Sequence, residues 1–132
     1  MSAIPDDLRY SEDHLWVRAY SGNNQAEVGI TDYAQGSLGD IVSITLPPVG
    51  QALSPGEAFG EIESTKSINE LISPLDGTVH ARNPLLADTP EIVNTDPYGQ
   101  GWMLQVEVAP PTLSSQLAGL MDLNAYRSLV GD

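Results

Sequence analysis

The sequence predicts a mainly β fold, a compact sandwich or barrel, and three observations carry the prediction. Breakers recur at short intervals, at Pro47-Pro48-Val49-Gly50, Ser54-Pro55-Gly56, Ser73-Pro74-Leu75-Asp76-Gly77 and Tyr98-Gly99-Gln100-Gly101. The runs between them are short and strand-like, most clearly where Leu104, Val106 and Val108 alternate with Met103, Gln105 and Glu107. A length of 132 residues suits one domain whose core is stable without metal or disulfide.

Taken in order, strands are expected at Leu15 to Ala19, Ala26 to Ile30, Ile41 to Leu46, Ala58 to Glu63, Ile68 to Ser73, Gly77 to Ala81 and Met103 to Val108. Helices are brief. Thr31 can cap a turn or two through Tyr33 and Ala34, ending near Gly39. A short turn is expected around Pro90 to Asn94. Asp122 is the expected N-cap of a C-terminal helix over about 122–130, with Leu123, Tyr126 and Val130 at helical spacing. Residues 1–132 are read as a single domain with its core hairpin at about 50–83. Strand, Pro/Gly turn and strand echo loosely on either side of residue 66, which suits two halves of approximate two-fold symmetry.

Charge and composition exclude several functions. Eighteen acids against five bases give a net charge of −13, spread along the chain. Such a surface repels phosphate backbones and anionic membranes, so neither nucleic acid nor membrane is an expected partner. It favours partners with basic patches. No cysteine is present, which removes disulfides, Cys-zinc sites and thiol nucleophiles. No apolar run approaches the roughly 20 residues that span a bilayer. Met1 to Asp7 lacks the basic start and apolar stretch of a secretory signal. A cytoplasmic protein is therefore expected, although a mature organellar protein has the same features.

Lysine occurs once, at Lys66, beside four arginines at Arg9, Arg18, Arg82 and Arg127. It falls in Glu63-Ser64-Thr65-Lys66-Ser67, between two expected strands, where the chain is expected to reverse. Turn tips are exposed and open to a modifying enzyme. Gly56 lies 10 residues before the lysine and Gly77 lies 11 after it, so turn punctuation brackets the hairpin almost symmetrically. The tip itself lacks the Asn-Gly or Gly-x pair that marks the tightest hairpins.

Rival chemistries for this stretch fail in detail. A phosphate loop needs glycine before the lysine, and Thr65 is there. A Ser64–Lys66 catalytic pair has no accompanying oxyanion hole and no sign of the burial that depresses a lysine pKa. Glu57, Glu61 and Glu63 share strand spacing and read as a solvated acidic edge rather than as paired catalytic acids. His14 and His80 lie on unrelated segments and receive no role. Trp16 and Trp102 read as core aromatics.

Glu63-Ser64-Thr65-Lys66 followed by Ser73-Pro74-Leu75-Asp76-Gly77 resembles the lipoylation site of glycine cleavage H proteins, which usually read Glu-Ser-Val-Lys-Ala and then Ala/Ser-Pro-x-x-Gly. The similarity also takes in Leu8-Arg9-Tyr10, His14-Leu15-Trp16 and Val28 to Gln35. It continues through Leu38 to Val42, Leu46 to Gly50, Pro90 to Asn94 and Pro97 to Trp102, nearly the whole chain. Biotin carriers place their lysine between methionines, whereas Thr65 and Ser67 flank it here. Lipoyl domains of 2-oxo acid dehydrogenases usually carry Asp before the lysine and lack the Thr31-Asp32-Tyr33-Ala34-Gln35 stretch.

The resemblance implies two small antiparallel sheets in a lipoyl-domain-like sandwich/barrel hybrid, with short helices and Lys66 at a hairpin tip. It implies a carrier rather than an enzyme, with lipoate bound covalently to Lys66. Glu63 and Gly77 would help the lipoyl-attaching enzyme recognise the site. The implied partners are glycine decarboxylase (P-protein), aminomethyltransferase (T-protein) and dihydrolipoyl dehydrogenase (L-protein). The chain departs from the family at Leu15, where an acid is usual; that acid lines the cleft for the loaded arm. Asp13 or Glu70 are the candidate substitutes. A lipoyl relay to other proteins, a biotinyl carrier and a Ser–Lys or acid-dependent enzyme are the alternatives to glycine cleavage.

Overall fold

The computed structural model describes residues 8–19, 24–108 and 112–131. Two open antiparallel sheets account for the strands, and neither closes into a barrel. The larger has β1 (Arg9–Tyr10), β2 (Leu15–Ala19), β3 (Gln25–Ile30), β5 (Ala52–Leu53), β8 (Gly77–Arg82) and β9 (Leu104–Glu107), in the order β1-β2-β3-β9-β8-β5. The smaller has β4 (Ile41–Thr45), β6 (Ala58–Ser64) and β7 (Ile68–Ile72), with β6 in the middle.

Strand alternation sorts side chains between two apolar clusters. On β2, Leu15 and Val17 face the main core together with Val28, Ile30, Leu104 and Val106 of the large sheet. The small sheet adds Ile41, Ile62 and Leu71 to that core, so the two sheets share one interior. Trp16, one residue out of phase, faces the other way into a cluster with Leu8, Tyr10 and Tyr126. Trp102 is half-buried against that second cluster, whereas Trp16 is fully buried.

Short helices close the ends. Helix α1 (Asp32–Leu38) starts where Thr31 Oγ1 accepts from the Ala34 N–H, as the cap motif predicts. Helix α5 (Leu123–Val130) starts where the Asp122 carboxylate accepts from Ala125 N at 2.9 Å and ends at Gly131 in the left-handed region. The turn expected at Pro90 to Asn94 forms as α3 (Ile92–Thr95). Sequence periodicity does not reveal α2 (Leu85–Asp88), α4 (Thr112–Ala118) or the two-residue strands β1 and β5. Two residues contain no period to read, and α2 is barely one turn.

The acidic residues of β6 need one correction. Glu57, Glu61 and Glu63 are exposed, but β6 is the central strand of its sheet and not an edge. The register also shifts between Ala58 and Gly60, so Glu57 leaves the common row. No helix among the described residues is long and apolar enough to cross a membrane.

Candidate functional site

Lys66 is exposed at the tip of the β6–β7 hairpin, and a side chain takes over the work of a turn-forming pair. Ser64 is buried, and its Oγ accepts from the backbone N–H of both Lys66 and Ser67 at 3.2 Å. Ser64 N donates to Ser67 O at 2.8 Å and closes the turn. These bonds explain why Asn-Gly is dispensable at the tip: the serine hydroxyl substitutes for a turn carbonyl. Thr65 N donates to Asp40 O at 3.0 Å and ties the tip to the α1–β4 connection.

The lysine stem runs over that connection. Lys66 Nζ donates to Ser37 O at 3.1 Å, near the C-terminal end of α1. The following cap, Gly39, has φ 86°, and a Cβ there would sit 3.2 Å from Lys66 Cε. Glycine thus serves twice, allowing the backbone conformation and clearing a path for the stem. Asn94 of α3 braces the same connection from behind. Its Oδ1 accepts from Ile41 N at 2.9 Å, and its Nδ2 donates to Gly39 O at 2.9 Å and to Gln35 Oε1 at 3.0 Å.

A groove of about 470 Å³ opens beside α1 from Ser37. Leu15, Ile30, Leu38, Ile62 and Leu71 give it an apolar floor. Asp13 and Glu70, the two candidate arm-cleft acids, both line it, so the structure brings them to one cavity from well-separated stretches of the chain. Leu15 is buried in the core and presents only hydrocarbon there. A larger groove of about 710 Å³, walled by Pro47, Leu53 and Phe59, lies away from the tip.

The other sequence candidates separate. Glu63 is exposed on β6, paired with Ile68 across the hairpin, close to the lysine. Gly77 starts β8 in the large sheet, a full strand length (roughly 15 Å) from the tip. Its role is close packing rather than a left-handed turn: a Cβ there would meet Glu107 O at 2.6 Å. The Ser–Lys pairing dissolves, because Ser64 Oγ is engaged by the turn and Lys66 Nζ points to Ser37. No cluster of potential metal ligands occurs among the described residues.

His80 is exposed, but His14 lines the groove. Its Nδ1 lies 3.0 Å from the Tyr126 hydroxyl, which lies 2.6 Å from Thr31 Oγ1. Burial lowers the His14 pKa from its ordinary value, and the Asp13 charge acts the other way. Burial also pushes the Tyr126 phenol up to about 12, against the opposing bond from Thr31. Ser64 as a turn lock is legible beside the lysine; Ser37, Gly39, Asn94 and His14 converge only in three dimensions.

The chain and its fold have close counterparts. Residues 8–132 match the family described as glycine cleavage H-protein. The chain belongs to that family. It is 52% identical over 128 residues to a glycine cleavage system H protein of Mycobacterium avium (strain 104), covering 96% of each chain. It is 48% identical over 132 residues to that of Mycolicibacterium gilvum (strain PYR-GCK), covering both chains fully. The crystal structure of a glycine cleavage system H protein from Mycobacterium marinum superposes with a TM-score of 0.87 at 36% identity, covering 98% of this chain and all of that one. Family membership makes the chain a lipoyl-carrier component of the glycine cleavage system, working with its other components and not itself one of the enzymes.

Proposed function

We propose that lipoate is attached in amide linkage to Lys66 and that the arm rests along the groove beside α1. The observation that carries this is the reach of Lys66 Nζ from an exposed hairpin tip to Ser37, at the rim of that groove. The dimensions agree. An eight-carbon acyl group adds roughly 10 Å to the lysine nitrogen at ordinary bond lengths. One helical turn separates Ser37 from Tyr33, about 6 Å along the axis. When attached, lipoate supplies a disulfide on a tether, able to take up the aminomethyl group of glycine at one enzyme and deliver it at another.

The chain's own residues present and shelter that arm. Ser64, Gly39 and Asn94 fix the direction in which the stem leaves the backbone. The apolar floor excludes water from the arm's hydrocarbon, and Asp13 and Glu70 offer carboxylates to a cationic cargo. Glu63 presents an acid to the lipoyl-attaching enzyme, and Gly77 keeps the hairpin's far end close to β9. Residues 1–132 act as one lipoyl-carrier domain in the cytoplasm. Its partners are glycine decarboxylase, aminomethyltransferase and dihydrolipoyl dehydrogenase, met through basic patches that complement a net charge of −13.

Intact and peptide mass spectrometry of the protein from its own host tests the reading. A lipoyl mass increment on the Lys66 peptide, absent in Lys66→Ala, is the expected result. An unmodified Lys66 in cells that lipoylate other proteins would overturn it.

A further inference from the structure

His14 is a groove residue to which the carrier reading gives no task, yet its placement is costly. Its φ of 66° is the only positive value at a non-glycine residue among the described residues. Such a backbone is strained and persists where surrounding contacts over-determine it. Here it holds the ring against Tyr33, with centroids 4.8 Å apart, and edge-on to Tyr126 at 5.8 Å. Tyr33 begins the turn of α1 that ends at Ser37, where Lys66 Nζ reaches. The ring therefore lies at the end of the groove that the arm's tip would occupy.

Behind the ring, two fully buried hydroxyls stand in line. Thr31 Oγ1 is 2.6 Å from the Tyr126 oxygen, which is 3.0 Å from His14 Nδ1, and each hydroxyl can donate in either direction. We propose that Thr31, Tyr126 and His14 form a reversible hydrogen-bond relay that lets the groove present His14 Nε2 as a donor or as an acceptor. The inference rests on the lipoyl-Lys66 reading and names the group on the arm that is recognised, a primary amine.

The two states differ only in proton positions. In the first, Thr31 donates to Tyr126, Tyr126 donates to Nδ1, and Nε2–H faces the groove. In the second, Nδ1–H donates to Tyr126, Tyr126 donates to Thr31 Oγ1, and Nε2 is bare. Interconversion moves the single ring proton from Nε2 to Nδ1 through groove water while the hydroxyls rotate, and the proton count is unchanged. Without cargo the first state is favoured. The Tyr126 oxygen is the acceptor at hand for the buried Thr31 hydroxyl, since Ala34 N–H only donates to it. An N–H₂ or N–H₃⁺ at the arm's end needs an acceptor and selects the second state.

Burial keeps the ring neutral against the charges that face it. Glu12 and Asp13 flank it on its own segment, and Glu70 faces the groove from β7. Tyr33 of α1 packs against the ring and Tyr126 of α5 meets it edge-on. Burial lowers its pKa, so near neutral pH the ring carries one proton whose position the relay decides.

The test is the ¹⁵N spectrum of the imidazole in histidine-labelled, lipoylated protein, with His80→Gln removing the other histidine signal. The expected result is an Nε2–H ring with the oxidised arm and an Nδ1–H ring after glycine loading by its decarboxylase, with loading verified by mass on the Lys66 peptide. Tyr126→Phe should abolish the difference between the two states. Thr31→Val, which keeps the shape of the side chain and removes the hydroxyl, deprives the Tyr126 O–H of its acceptor in the second state and should hold the ring as Nε2–H even after loading. One unchanging tautomer in verified loaded and unloaded wild-type protein, or a doubly protonated ring on loading, overturns the relay and leaves the carrier reading intact. A Lys66 that never acquires the arm overturns the carrier reading and the relay with it.

Discussion

The aromatic corner around Trp16 and the tip around Lys66 are held by opposite means. At the corner Tyr10, Trp16 and Tyr126 are fully buried, with Tyr10 and Tyr126 stacked at 4.6 Å and the indole N–H bonded to Pro97 O at 2.9 Å. At the tip Thr65, Lys66 and Ser67 are exposed, and Ile68 keeps 63% of its surface in water. Shape there comes from hydrogen bonds of Ser64, Asp40 and Asn94. A residue left open to solvent cannot draw stability from burial. Hydrogen bonds exchanged with water contribute little net free energy, but they still choose one geometry among many. Stability at the corner and presentation at the tip are therefore secured by different interactions.

The comparison makes graded predictions. Trp16→Ala should cost about 3–5 kcal/mol in denaturant unfolding, while any folded fraction still accepts a group on Lys66. Loss of attachment in folded Trp16→Ala protein would show that corner and tip are not separate. Asn94→Ala removes the brace from Ile41 N and Gly39 O and should cost about 1–3 kcal/mol. It should also slow attachment at Lys66 in an initial-rate assay on folded protein, which Trp16→Ala should not.

High pH probes the corner alone. The folded Tyr126 pKa of about 12 lies above the ordinary 10, so the unfolded chain loses this proton first. The contribution is complete below pH 10 and declines as pH rises toward 12, with a slope approaching 1.4 kcal/mol per pH unit for one group. Tyr126→Phe should flatten that leg of an unfolding-versus-pH series. Ser64→Ala is the mildest change to stability, about 1 kcal/mol, but should slow attachment by more than its stability loss suggests. Unchanged attachment kinetics in this variant would argue that the tip needs no preset shape.

Much of the frame was legible in the sequence because it depends on local rules. Alternation on β9, the Thr31 and Asp122 caps and the lysine between two strand-like runs each lie within a few residues of one another. The resemblance to a known family supplied the pairing into two sheets. What stayed hidden was convergence. Asn94 reaches Gly39 from 55 residues away and Tyr126 reaches His14 from 112 away, and no local pattern signals either meeting. Asp13 and Glu70 were legible as candidates only as a pair of acids; their shared groove depends on how β7 and the start of β2 pack against α1. Pro-x-x-Gly signals a turn at Gly77, whereas the backbone of Glu107 is what forbids a side chain there.

The tip's three supports come from separate stretches of chain, Ser64 beside it, Asp40 after α1 and Asn94 on α3. Lys66 therefore has its particular setting only in the finished fold. A peptide cut from residues 58–72 would keep the right letters and lose the object they spell. An enzyme that recognises the tip in its folded geometry thereby inspects the whole chain before committing a cofactor to it. Misfolded copies would be passed over, with no separate system needed to find them.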